Sequence, residues 1–171
     1  RFIMGNLNDF DEATNNINKN DLVEIDKWII SEAIKLHEEV QKLNDNYAYH
    51  HVIQKIHNFC VHELGGVYLD IIKDRMYVTK SNSYARRSAQ FALFEVAEIL
   101  IRLISPILVF TAEEIWQSHE LFKKQSVSIF MASQKLLSEI ESSISDEDWK
   151  KIFAVKNAVN QSIEKARADS V

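Results

Sequence analysis

Gly65-Gly66-Val67-Tyr68-Leu69-Asp70-Ile71-Ile72-Lys73-Asp74-Arg75-Met76-Tyr77 is the stretch whose reading decides the fold. Apolar and charged residues follow one another at intervals that suit a helix. Leu69, Ile72 and Met76 share one face, Tyr68 and Ile71 lie beside it, and Lys73, Asp74 and Arg75 are left toward water or a partner. The paired glycines cost about 2 kcal/mol relative to alanine in a helix interior. They imply either a kink or a neighbour packed very close.

The pattern extends upstream from Gly65, with Val52, Ile56, Phe59, Cys60 and Leu64 inward, so one helix is expected from about Tyr49 to Tyr77. Before it, Ile25, Trp28, Ile29, Ala33, Ile34, Leu36, Val40 and Leu43 recur at helical intervals and predict a helix from about Leu22 to Leu43, ended by Asn44-Asp45-Asn46. After the Lys80-Ser81-Asn82-Ser83 loop a third helix is expected from about Tyr84 to Ile104, with Ala89, Leu93, Val96, Leu100 and Leu103 inward, stopped by Pro106. Arg1 to about Thr14 reads as a short helix and Asn15 to Asn20 as a polar break. Thr111 and Glu114 have the spacing of a capping box opening a short helix through Trp116. Val127 to Met131 reads as a short extended segment. Ser145 and Asp148 are placed to cap a last helix to about Ala166, with Ile152, Val155, Val159 and Ile163 on its buried face.

Composition agrees with an all-α chain. Three Gly and one Pro in 171 residues are too few for the tight turns of a sandwich or barrel. With 46% hydrophobic and 26% charged residues the chain is globular and not disordered. No apolar run reaches the roughly 20 residues of a membrane span. A single cysteine, Cys60, rules out an internal disulfide and fits a reducing, cytoplasmic setting. The first residue is Arg and helical pattern runs to both ends, so a fragment of a larger protein is expected. Its parts are read as a core helical bundle over 1–120, an irregular insert over 121–145 and a C-terminal helix packing on the bundle over 146–171.

Four blocks, in order along the chain, carry a resemblance: Arg1-Phe2-Ile3-Met4-Gly5-Asn6-Leu7-Asn8-Asp9-Phe10, Asp26-Lys27-Trp28-Ile29, the Tyr68 to Tyr77 wording, and Pro106-Ile107-Leu108 with Phe110-Thr111-Ala112-Glu113-Glu114-Ile115-Trp116. Together they resemble the anticodon-binding domain of isoleucyl-tRNA synthetases, a class I family, from Arg1 to about Arg167. The last block occurs across several class I synthetases; the Tyr68 block points to isoleucine. The resemblance implies an antiparallel helix bundle of that domain type, with a short irregular or extended insert. It also implies a role in holding the anticodon stem-loop of isoleucine tRNA, for a parent enzyme that charges that tRNA with ATP and Mg. The catalytic His-x-Gly-His and Lys-Met-Ser-Lys-Ser signatures of class I are absent. No Gly-rich loop is present to cradle phosphates. Catalysis and editing are therefore expected in upstream domains, with no catalytic residue and no cofactor in this stretch. Some members carry a zinc module of cysteines at the far C-terminus. Here His57 and Cys60, flanked by His50, His51 and His62, lack paired ligand spacing, so no metal is expected.

A formal net charge of −5 argues against indiscriminate nucleic-acid binding, and neither DNA nor a membrane is an expected partner. A local basic face is enough to grip one RNA. Lys73, Arg75, Lys80, Arg86 and Arg87 form one cluster, and Lys150 and Lys151 begin a second stripe; all seven are candidates for the tRNA backbone. The alternative for each is a solvated surface with intramolecular pairing. Antiparallel helices of about 22 residues set the two inter-helix turns roughly 33 Å apart. The Lys73 to Arg87 cluster then lies at the end nearer the catalytic domain. The Asn44 to His51 turn forms the distal end, with Ile104 to Pro106 and the Lys123-Lys124 loop as other distal candidates. Asn46, Tyr47, Tyr49, His50 and His51 can stack on splayed bases and read their edges, or simply cap the bundle, and both readings stay open. Two rival functions also stay open: the same module of valyl-tRNA synthetase, and a helical protein-interaction bundle without RNA. A monomer is expected.

Overall fold

The computed structural model describes residues 1–11, 17–133 and 140–168, which divide into two compact units, Arg1–Glu141 and Ser142–Val171. Among the described residues there is no strand. The first unit contains α1 (Phe2–Asn6), a 3-10 turn (Lys19–Asp21), α2 (Glu24–Asp45), α3 (Tyr49–Phe59), a π-helical stretch (Cys60–Leu69), α4 (Asp70–Tyr77), α5 (Tyr84–Ile104), α6 (Val109–Ser118), α7 (Glu120–Lys123) and a second 3-10 turn (Ile129–Met131). The second holds α8 (Asp146–Ala168).

Three rods build the first unit: α2, the continuous run from α3 through the π stretch to α4, and α5. They run antiparallel in sequence. At one end the Ser88 hydroxyl of α5 accepts from the Val23 amide just before α2, and the Tyr84 hydroxyl donates to the Asp21 carbonyl. At the other end Asn44, Tyr49, Pro106 and Ile107 line one cleft. α5 lies at the centre. From Ser88 to Ile99 every residue is buried, Gln90, Glu95 and Glu98 included. A helix buried all round is surrounded and not surface-lying, which is why its apolar positions exceed the single face expected.

The run from Val52 to Met76 resolves the glycine question. Its buried positions are Val52, Ile56, Phe59, Leu64, Tyr68, Ile72 and Met76. Phe59 to Leu64 is a gap of five, which an α-helix at 3.6 residues per turn would carry well off the stripe. Over Cys60–Leu69 the backbone winds with i→i+5 bonding, bringing the fifth residue back into line. A Cβ built on Gly65 would stand 2.9 Å from the Cys60 carbonyl oxygen, and one on Gly66 3.1 Å from that of Val61. The close neighbour is thus the helix's own backbone, five residues back.

Other expectations need correction. α1 ends at Asn6, because the residues after it are drawn onto α5 by Asp9. Residues 12–16, where the end of that helix and the start of a polar break are expected, lie outside the described residues, as do 134–139 and 169–171. α6 begins at Val109, with no side-chain cap: a hydrogen bond from the Leu108 amide to the Ile104 carbonyl (2.7 Å) turns the chain two residues after Pro106, so Thr111 falls inside the helix. Ile129–Met131 is a 3-10 turn and not extended, its Ser128 hydroxyl capping the Phe130 amide. The insert region also includes the helix α7. Ser145 caps α8 as expected, accepting from the Asp148 amide (3.2 Å) and donating to the Asp148 carboxylate (2.8 Å). Ile152, Val155, Val159 and Ile163, expected to be buried, are exposed.

Replacing Gly65 by Ala should destabilise the protein by about 1–3 kcal/mol, the cost of overpacking a site that cannot move. Urea unfolding monitored by circular dichroism measures it. A gain in stability, as at an ordinary helix-interior glycine, would contradict the π-helical account.

Candidate nucleic-acid interface

At the end where α2 begins, the charges are bound into the fold. Asp26 is fully buried. Its carboxylate accepts from the Tyr68 hydroxyl (2.8 Å), from Arg75 Nη1 (3.2 Å) and Nη2 (2.6 Å), and from the Ser88 hydroxyl (2.5 Å). Arg75 also donates from Nε and Nη2 to the Ala85 carbonyl. Burial, and next the Asp26 charge, push the Tyr68 phenol well above its ordinary 10.0, keeping it a neutral donor. Arg75, placed by the sequence toward water or RNA, is turned inward because Asp26 has no other cation of this reach on α4.

Arg86 and Arg87 are committed in the same way. Arg86 forms a bidentate pair with Asp9 (2.6 and 3.0 Å) and reaches the Met76 and Ser81 carbonyls. Arg87 donates to the Asp9 carbonyl, the Gln90 side chain and Asn82. Gln90 in turn donates to the Asn6 carbonyl and to Asp9. These bonds seat Leu7 and Phe10 in the core. Both guanidiniums are largely enclosed, so of the five cations in that cluster the two lysines are the ones that stand at the surface. Lys73 is exposed and pairs with Asp70 (2.9 Å), whose hydrogen bond raises its pKa. Lys80 is exposed, and its ammonium has no ion-pair partner among the described residues. On α8, Lys150 is exposed and Lys151 is exposed with a bond to Asp148 (3.0 Å).

The opposite end is different in kind. α2 closes with the Asn46 amide donating to the Lys42 carbonyl (2.8 Å), so that donor of the candidate reader serves as a cap. Tyr47 follows with φ of 56° and is 78% exposed. A non-glycine residue in the left-handed region costs free energy, and here no burial of the ring offsets it. Its ring meets that of Tyr49 edge-on at 6.2 Å. His50 and His51 are exposed, with rings 4.0 Å apart. Four consecutive apolar residues, Ile107, Leu108, Val109 and Phe110, are exposed on the neighbouring turn, Phe110 by 90%. Sequence reasoning reached Pro106 but missed this run. The available signal was an apolar run straight after a helix-ending proline, out of phase with Ala112 and Trp116. The Lys123-Lys124 loop is not at this end: Phe122 of α7 stacks on Phe94, half-way along α5 (5.6 Å).

The remaining motif block is structural. Ala112 and Trp116 are fully buried. Glu113 accepts from the Ser128 hydroxyl and the Ile129 amide, and the Trp116 indole donates to the Ser126 carbonyl. Among the described residues no group of His, Cys, Asp and Glu is assembled for a metal, and burial pushes the half-buried Cys60 thiol upward. No described helix is long and apolar enough to cross a membrane.

Residues 26–171 match the family described as the anticodon-binding domain of tRNA ligase. The chain belongs to that family. Among relatives, an isoleucine–tRNA ligase of Pseudomonas aeruginosa (strain LESB58) is 44% identical over 98% of the chain. Those of Pseudoalteromonas translucida (strain TAC 125) and Teredinibacter turnerae (strain ATCC 39867 / T7901) are 43% and 42% identical over all of it. The domain spans 18% of the length of each of these relatives.

The Arg86 hydrogen bond holds the Asp9 carboxyl below its ordinary 3.8, against the opposing effect of burial. A carboxyl depressed in the folded state contributes stability that is present above the unfolded value, about pH 4, and lost as pH falls through the folded one. Replacing Arg86 and Arg87 together by Ala should therefore lower stability by about 2 kcal/mol at neutral pH, discounted because Asp9 is partly solvated. It should also flatten the loss of stability in acid, read from melting curves at a series of pH values. Replacing Lys73 and Lys80 by Ala should leave the melting curves nearly unchanged.

Proposed function

We propose that this domain recognises the anticodon stem-loop of isoleucine tRNA within an isoleucine–tRNA ligase that charges its tRNA with ATP and Mg. The domain itself does no chemistry: its role is to hold and read RNA, and catalysis lies in other parts of the protein. The observation that carries the reading is Tyr47, an aromatic ring held out to solvent from a left-handed backbone, beside Tyr49 on the turn farthest from the Asp26 network. Unpaired bases of RNA loops are bound by stacking on such rings and by hydrogen bonds to their edges. The isoleucine assignment is supported by the names of relatives sharing 42–44% identity. Lys73 and Lys80, with Lys150 and Lys151, would meet phosphates. Tyr47, Tyr49, His50 and His51 would meet bases, with Asn46 offering its carbonyl oxygen.

Binding of the full-length protein to isoleucine tRNA, and to the same tRNA with a changed anticodon, tests this at two salt concentrations. The expected result is affinity that falls steeply with salt, drops with the changed anticodon, and has a shallower salt slope after Lys73 and Lys80 are replaced by Ala. Binding indifferent to both salt and anticodon would overturn the reading and favour a protein-interaction bundle.

A further inference from the structure

A second cleft, of about 290 Å³, lies between α2 and the run from α3 into the π-helical stretch. Its charged lining is the carboxylates of Glu32, Glu39 and Glu63 and the ammoniums of Lys35 and Lys55. We propose that this cleft receives the guanidinium of an arginine from another part of the full-length protein, latching the bundle to a neighbouring domain. The proposal shares with the reading above only that the domain is one part of a longer chain.

The ion pairs leave one carboxylate over. Lys35 pairs with Glu32 within α2 (2.9 Å), and Lys55 of α3 crosses to Glu39 of α2 (2.8 Å). Glu63 is in neither pair. Its Oε2 is closed off from water and has no hydrogen-bond partner among the described residues. A carboxylate oxygen withdrawn from water without a partner is costly, and a cation supplied from outside relieves that cost. The last torsion of a glutamate is soft, so either oxygen can turn toward the cleft. Glu63 also stands on the π-helical stretch, and such windings recur at functional sites.

The rest of the lining selects the occupant. Carboxylates in excess repel phosphate, so this is not a face for RNA. Among the described residues no group of His, Cys, Asp and Glu is assembled for a metal. An ammonium is compact and strongly hydrated, whereas a guanidinium is planar, weakly hydrated and presents five donors in a fork. Leu36 and Phe59, both buried, give its flat face an apolar floor. The exposed Asn58 carboxamide offers a further acceptor at the rim. The two lysine pairs are partly exposed, and pairs of that kind are weak enough to yield to an incoming side chain. The matched stretch is 18% of the length of each relative, so on the full-length reading most of the chain is available to supply the arginine.

The test joins a photo-crosslink to melting curves. In the full-length protein a benzophenone side chain replaces Asn58, with Glu63 intact or as Glu63→Gln, and crosslinked peptides are identified by mass spectrometry. The expected product joins position 58 to one arginine-bearing peptide from outside residues 1–171, and it is lost with Glu63→Gln. Without the crosslinker, Glu63→Gln should lower the melting temperature by about 3 °C or more, because an enclosed guanidinium loses its partner. Replacing the arginine so identified by Gln should have a similar effect, and combining the two should add little. The sign of the shift is decisive. A Glu63 without a latch is an enclosed charge with nothing to pair, and its change to an amide would raise the melting temperature. A raised or unchanged melting temperature therefore overturns the proposal. Crosslinks confined to residues 1–171, crosslinks joining two copies of the chain, or a yield indifferent to Glu63→Gln overturn it too. Spermidine that raises the melting temperature of wild type but not of Glu63→Gln, with no crosslink formed, would assign the cleft to a small free cation and overturn the latch. Binding of tRNA enters none of these outcomes, so the anticodon reading stands or falls separately.

Discussion

The buried Asp26 carboxylate is the contact on which the rest of the bundle depends. It draws together α2, the π-helical stretch, α4 and α5 through Tyr68, Arg75 and Ser88. A charge removed from water must be paired and fully hydrogen-bonded, and removing one partner of such a pair costs about 3–5 kcal/mol. Tyr68 can supply its hydroxyl only if the preceding turns deliver it to the right side of the rod. The wide winding over Cys60–Leu69 does this, and Gly65 permits it. Composition, local winding and buried electrostatics are here one constraint seen at three levels.

That constraint decides where function can be. α2 has 22 residues and is about 33 Å long, so fixing its start fixes the far turn by a rigid lever. At the near end Arg75, Arg86 and Arg87 are consumed in holding Asp26, Asp9 and the segment around Leu7 and Phe10. Toward the far end the Glu98 carboxylate is buried against Arg102 within α5 (2.8 Å), while the side chains of the two turns beyond it are mostly aromatic, amide or apolar and stand open. On the proposed reading this separates two tasks, with lysines outside the internal network giving salt-dependent grip and the aromatic turns giving base discrimination. A chain of net charge −5 suits that arrangement, since long-range attraction for any RNA is weak and local contacts decide.

The helices and their antiparallel order were legible because Val52, Ile56, Phe59 and the Trp28 to Val40 series recur at helical spacing, and because breakers are few. Three cations of the basic cluster turn into the fold for a physical reason. Spacing places Arg75 on the flank of the apolar face, but only the fold shows that a carboxylate on another helix lies within its reach. A hint existed: Asp26 sits in phase with Ile30 and Ala33 on the buried side of α2, and a carboxylate there demands a cation. The phase break from Phe59 to Leu64 was likewise present, read as a glycine problem when it was a winding change. The distal candidates Tyr47 and Tyr49 could be named from the turn between helices. Phe110 was signalled only by its place in the apolar run after Pro106, out of phase with Ala112 and Trp116, and a phenylalanine near a tryptophan otherwise reads as core until the structure shows it open to solvent.

The most direct measurement is amide hydrogen exchange of the full-length protein with and without isoleucine tRNA. The account predicts new protection at the two distal turns, around Tyr47 to His51 and Ile107 to Phe110, with the amides around Asp26, Tyr68 and Ser88 unchanged. Unchanged exchange at both distal turns, with new protection confined to the Asp70 to Arg87 region, would contradict it.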